Sequence, residues 1–207
     1  GREVHNRVLM ETRVWRNPRE LARIERLAKA LLEPRTRKNI DYRFTLLDDS
    51  AVNAFSHLGG YVYFNRGLIQ KNLSDTELQF VIGHEIAHVD LKHCVEKLTY
   101  AVRASEVAGG DAGNLVHIAY HAVALGYSED QEYEADKWSY LGMRKLGRRK
   151  DECLAMTERF AKDEAIEDAN KSNSQNSTPG KVIKETRDHF ASHPPTAERL
   201  KRLAALP

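Results

Sequence analysis

The sequence predicts a helix-rich α+β fold with a small sheet whose edge strand borders a buried central helix. Three observations predict it. Apolar residues at helical spacing follow N-cap signals at Asn17, Ser74 and Ser128. Strand-like alternation is confined to residues 40–65. A helical run over 75–98 is apolar on nearly every side, the pattern of a helix inside a core. The length of 207 residues suits one domain, 1–207.

Asn17-Pro18 pairs a capping residue with proline at the first helical position and opens a helix over 17–33. Leu21, Ile24, Leu27, Ala28, Leu31 and Leu32 keep helical spacing, and Pro34 ends the run. Ile40, Tyr42, Phe44 and Leu46 alternate with polar residues as a half-buried strand does. A second strand lies around 51–55, Gly59-Gly60 make a turn, and a third strand spans Tyr61 to Phe64. Ser74 to Glu77 is a capping box for the 75–98 helix, and Ser128 to Gln131 is another for a helix over 128–146. A further helix covers about 151–168. The Ser- and Asn-rich tract 171–180 reads as a mobile loop, and a C-terminal helix over 195–206 carries Leu200, Leu203 and Leu206.

Charge excludes one class of partner. With 32 basic against 30 acidic residues, nothing marks nucleic acid as a partner. The basic clusters Arg35–Lys38 and Arg148–Lys150 read as solvated helix ends. No run approaches the roughly 18 apolar residues of a transmembrane segment. Leu115 to Tyr127 is too short and contains His117 and His121. The chain begins at Gly1, which leaves room for a preceding leader or an N-terminal membrane anchor. Cys94 and Cys153 form no C-x-x-C pair, which excludes a structural zinc knuckle; each reads as a small buried hydrophobe, with one disulfide as the alternative.

His84-Glu85-Ile86-Ala87-His88 matches H-E-x-x-H inside the buried helix. Residues four apart sit one turn apart on one face, so both imidazoles reach one zinc ion, and Glu85 stands beside it as a general base. A charged Glu85 within an apolar helix otherwise has no reason to be there. A catalytic zinc takes a third protein ligand. On one continuous helix His93 lies about 180° from His84 and points away. The spacing also lacks the metzincin pattern. Glu132 and Asp136, four apart on the second capped helix, share a face: one can bind the ion while the other accepts the far N–H of a ligand histidine. Glu129 and Glu134 are rivals of Glu132, with Glu134 projecting about 200° away from it round the helix. His117 and His121 have no acid between them and read as packing or surface residues.

Four blocks, in order, resemble the zinc metallopeptidase family of the CAAX prenyl endopeptidase and HtpX. They are Val52 to Phe55 with Gly59 to Tyr63; His84 to His88 with Val89 and His93; Glu132-Tyr133-Glu134-Ala135-Asp136; and His193-Pro194 through Arg199. The resemblance covers about 51–203 and is closest to small soluble periplasmic bacterial members. It implies a zincin-like domain, one catalytic zinc with Glu132 as third ligand, Asp136 as that site's partner, and His193 and Arg199 nearby. It also implies a polypeptide substrate, a periplasmic or cell-envelope location and a role in protein quality control. A zinc-stabilised chaperone with little proteolysis is the alternative. Gly60, Tyr61, Val62 and Tyr63, as an edge strand along the cleft, could pair with an extended substrate; an interior strand is the other reading. His193, restricted by the proline after it, could donate to a developing oxyanion or instead occupy the open zinc position in a latent state. Arg199 could orient groups there or pair with a surface acid. The family commonly has a small or proline-containing link before the double glycine, where this chain has Ser56-His57-Leu58.

Overall fold

The computed structural model describes residues 1–107, 115–173 and 196–207. Among these, helices α1 (Arg2–Glu11) and α2 (Pro18–Leu32) precede strands β1 (Arg43–Leu47), β2 (Ala54–His57) and β3 (Tyr61–Asn65). A single turn, α3 (Arg66–Ile69), leads to α4 (Asp75–Asp90) and α5 (His93–Val107). The remaining helices are α6 (Leu115–Val123), α7 (Glu129–Lys145), α8 (Lys150–Asn173) and α9 (Thr196–Ala204). The architecture is helix-rich α+β, and no described helix is long and apolar enough to cross a membrane.

Local signals set the helix starts. Asn17 accepts from the Glu20 amide with Pro18 at N1, and both capping boxes, at Ser74 and at Ser128, are complete. The sparse apolar pattern of α1 gave no signal: only Val4 and Val8, one turn apart, are buried. Residues 171–173 continue α8 rather than forming a loop, and 174–180 lie outside the described residues.

The sheet corrects the reading of its third strand. Its order is β1-β3-β2, with β1 parallel and β2 antiparallel to β3. Tyr61, Val62 and Tyr63 therefore lie in the central strand, their backbone groups engaged on both sides, and offer no edge to a substrate. The hairpin accounts for one flank, and β1, earlier in the chain, takes the other. Gly60 is likewise a turn residue: at φ +83°, a Cβ there would lie 2.7 Å from the Asp41 carbonyl oxygen. The strand bordering α4 is β2, whose Ser56 hydroxyl donates to the Glu85 carbonyl at 3.0 Å. Val62 and Phe64 face the main core with Ile24, Leu31 and Ile86. Tyr61 and Tyr63 face Val8 and Leu47, and there the Tyr63 hydroxyl bonds His5 and His57 at 2.7 and 2.9 Å. Burial pushes the His57 pKa down to about 4.

Every residue of α4 from Leu78 to Asp90 is buried. The helix does not continue to residue 98. It stops at Asp90, Lys92 turns the chain at φ +71°, and α5 starts at His93. Buried Asp90 accepts the Thr36 and Arg37 amides at 2.9 and 2.8 Å, while the Arg37 guanidinium donates to the Val89 carbonyl at 2.8 Å. These contacts satisfy groups left open at a helix end. They also correct the reading of the basic clusters as solvated. Arg148 likewise donates to buried Gln79 at 3.2 Å, and Lys150 to the Leu206 carbonyl at 2.6 Å. Cys94 and Cys153 are both free and buried.

Helices α4 and α7 approach each other closely at Gly83. A Cβ on Gly83 would lie 2.9 Å from the Ser139 Cβ and 3.2 Å from its Cα, and the Ser139 hydroxyl donates to the Phe80 carbonyl at 2.8 Å. Gly83→Ala therefore pushes α7 outward. It should destabilise the metal-free protein by about 1–3 kcal/mol, read by urea unfolding, whereas an unchanged midpoint would show that the contact relaxes freely.

Candidate metal centre

One turn of α4 brings His84 and His88 to the same face, with ring centroids 4.6 Å apart. Glu132, in the first turns of α7, lies opposite them. Its Oε2 is 3.5 Å from His84 Nε2, and its Oε1 is 3.4 Å from His88 Nε2. The two Nε2 atoms are 3.0 Å apart. These are the three residues among those described whose donor atoms cluster closely enough to hold one ion. All are buried.

Hydrogen bonds assign both imidazole tautomers. Asp136 accepts from His84 Nδ1 at 2.8 Å, so His84 Nε2 carries a lone pair. Glu134 accepts from His93 Nε2 at 3.1 Å, which makes His93 Nδ1 an acceptor. His88 Nδ1 donates to it at 3.0 Å, and His88 Nε2 is therefore also a lone pair. With both imidazoles neutral, two lone pairs and a carboxylate converge on one point, and either a cation or a proton shared across the 3.0 Å between the two Nε2 atoms relieves their repulsion. Tetrahedral ligation at about 2.05 Å spaces ligand atoms by about 3.3 Å, close to the three separations found. The donor set fits a divalent ion.

Charged groups gather here: among the described residues, Glu85, Glu132 and Asp136 are buried with Arg199. Arg199, on α9, donates to both Asp136 oxygens at 2.7 Å and to Glu132 Oε2 at 2.9 Å. Burial opposes charge on His84, Asp136 and Arg199. It is outweighed for His84, whose pKa rises beside Glu132 and Asp136, and for Asp136, whose pKa falls beside Arg199. The Arg199 guanidinium, held by Asp136, is likewise more firmly protonated than usual.

Glu85 projects from the same helix beside His84 and is 1% exposed; both line a cavity with Phe80, Val81, Thr157, Phe160 and Arg199. Arg199 pairs with the buried carboxylates rather than with a surface acid. His193 lies outside the described residues. His93 does not point away from the site. The offset of about 180° from His84 holds only along an unbroken helix, and the break at Lys92 turns His93 back onto His88. Glu134, a rival for the third ligand, holds His93, while Glu129 is exposed. Sequence reasoning also passed over Tyr127, whose ring stacks on His88 at 3.7 Å between centroids. No motif marks it; its one signal is its place directly before the Ser128 cap.

Asp136→Asn keeps the shape of the site but offers His84 a poorer acceptor and weakens the grip on Arg199. Its affinity for divalent metal should fall about 10–100-fold in chelator competition; wild-type affinity would show that Asp136 does not orient His84.

Comparisons with known proteins place this geometry in a family. The model of Peptidase family M48 matches residues 16–206. The metalloprotease YcaL of Escherichia coli K12 is 29% identical over 192 residues, covering 87% of this chain and 67% of that protein. The E. coli metalloprotease LoiP is 33% identical over 136 residues, covering 60% of this chain and 53% of its own length. A putative beta-barrel assembly-enhancing protease of Vibrio cholerae is 28% identical over 141 residues, with 60% of this chain and 29% of that protein covered. The chain thus spans about two thirds, one half and less than a third of these relatives. Since the family match runs over nearly the whole chain, from before the sheet to the end of α9, this is a metallopeptidase of Peptidase family M48.

Proposed function

We propose that the chain is a zinc-dependent endopeptidase that cuts extended or unfolded polypeptide in envelope protein quality control. The observation that carries the reading is Glu85, a carboxylate 1% exposed between two histidines on one buried helix. Zinc is the ion best suited to two imidazoles and one carboxylate with a tetrahedral spacing. When bound by His84, His88 and Glu132, it supplies Lewis acidity toward a peptide carbonyl and toward water. The chain's own residues do the rest. Glu85 accepts a proton from the attacking water through its carboxylate and returns it to the amide nitrogen as the C–N bond breaks, so the leaving amine departs neutral. Asp136 and Arg199 hold His84 and Glu132 while this happens. The envelope setting is supported by the name of the V. cholerae relative, which refers to β-barrel assembly.

The strand suited to an extended substrate is β2. Asn65 donates its amide to the Asn53 carbonyl at 3.0 Å, which makes that facing pair a hydrogen-bonded one. Alternation along the antiparallel ladder then turns the N–H and C=O of Ala54 and Ser56 away from β3. Cys94 approaches the Ser56 carbonyl at 3.8 Å. Ala54, next to the Glu85 helix, is 1% exposed, so a peptide backbone would add there as a further strand once the groups covering it move aside.

Two measurements test this. Glu85→Gln should retain stoichiometric zinc and lose about 10²–10⁴-fold in casein hydrolysis; retained hydrolysis removes Glu85 from the role of base. Failure of both proteins to cut, with zinc bound, would move weight to a client-holding role. Ala54→Pro removes the outward N–H without touching the ladder to β3. It should lower kcat/KM for an unfolded protein about tenfold with zinc affinity unchanged, and equal kcat/KM would show that substrates do not pair with β2.

A further inference from the structure

We infer that Tyr127 is a positioning residue for the metal ligand His88, its phenol ring setting the plane in which that imidazole lies. The inference rests on the metal reading above and deepens it. The His88 Nδ1 bond to His93 fixes where one edge of the imidazole points and does not by itself stop the ring from tilting about that edge. A tilt moves Nε2, the donor atom. Tyr127 closes that freedom: its ring lies 3.7 Å from the imidazole and 11° from parallel, so tilting toward it runs into van der Waals contact.

Tyr127 is itself held on its remaining sides. The Lys97 ammonium sits 3.6 Å from the centroid of the phenol and donates to the Leu125 carbonyl at 2.9 Å. The hydroxyl lies 3.3 Å from Cys94 Sγ. The residue is 8% exposed. These contacts come from α5 and from the segment before α7, while His88 belongs to α4. Tyr127 also directly precedes Ser128, the cap of the helix that carries Glu132. One short segment thus steadies two of the three ligands, His88 through the ring and Glu132 through the cap. Chemistry favours the stack once an ion is held, because a coordinated imidazole carries part of the positive charge and the face of a phenol is negative.

The test compares three variants of the whole chain for zinc affinity by chelator competition and for the visible absorption of the cobalt-substituted protein, which reports ligand geometry. Tyr127→Phe keeps the flat ring and should stay within about threefold of wild type, the hydroxyl contact with Cys94 being peripheral. Tyr127→Leu and Tyr127→Met lose the flat face and should bind zinc about 10–100-fold more weakly, with cobalt bands shifted and reduced. Melting of the metal-free proteins reports folding, and the methionine variant fills the volume should the leucine variant fail to fold. Wild-type affinity and bands in a folded Leu or Met variant would overturn this inference alone, as would a Phe variant that loses as much as Leu. A wild-type chain that binds no divalent metal would overturn both this inference and the metal reading beneath it.

Discussion

Charged and polar groups inside an apolar helix have to be answered by other helices, and the arrangement of this protein follows from that constraint. Helix α4 is buried from Leu78 to Asp90, yet it carries two imidazoles and two carboxylates. Isolated, each would cost several kcal/mol. Their partners arrive from outside: Glu132 and Asp136 from α7, Arg199 from α9, His93 from α5, and the Thr36 and Arg37 amides for Asp90. Apolar residues of similar volume would make a core at least as stable. What the ionic cluster provides is a defined place for a cation, so its presence argues for function rather than stability.

The features legible in the sequence were local ones. Asn17, Ser74 and Ser128 cap their helices through bonds that span three residues, and such bonds are written in adjacent letters. The i, i+4 spacing of His84 and His88 is equally local. Strand order is not. That β3 lies at the centre depends on β1 pairing from the far side, Phe44 opposite Val62, and nothing within Tyr61 to Phe64 records that partner. Hydrophobic alternation cannot separate an edge strand from a central one once both faces are covered.

The helix break before His93 was hidden for another reason. Leu91 and Val95 prolong the apolar spacing of α4, so periodicity alone reads one helix. In the fold Val95 is exposed, and the end at Asp90 is fixed by tertiary bonds from residues 36 and 37 that no window on the helix contains. The same angular reasoning held for α7, which runs unbroken. Its spacing put Glu132 and Asp136 on one face and Glu134 on another. The structure gives the second face a task as well, since Glu134 holds His93. Angular arguments are as sound as the continuity of the helix they assume.

Contacts to its backbone also hold the helix that carries the site. Helix α4 is gripped on one side by α7, where the Ser139 hydroxyl bonds the Phe80 carbonyl and Gly83 admits the approach. It is gripped on another by β2, where Ser56 bonds the carbonyl of Glu85 itself. These groups fix the height of the helix relative to both Glu132 and the sheet. A side chain mounted on a helix so constrained needs little further ordering to meet an ion or a peptide bond, because its support has already lost its freedom. Glu85 is therefore set against β2 through a hydrogen bond to its own backbone carbonyl.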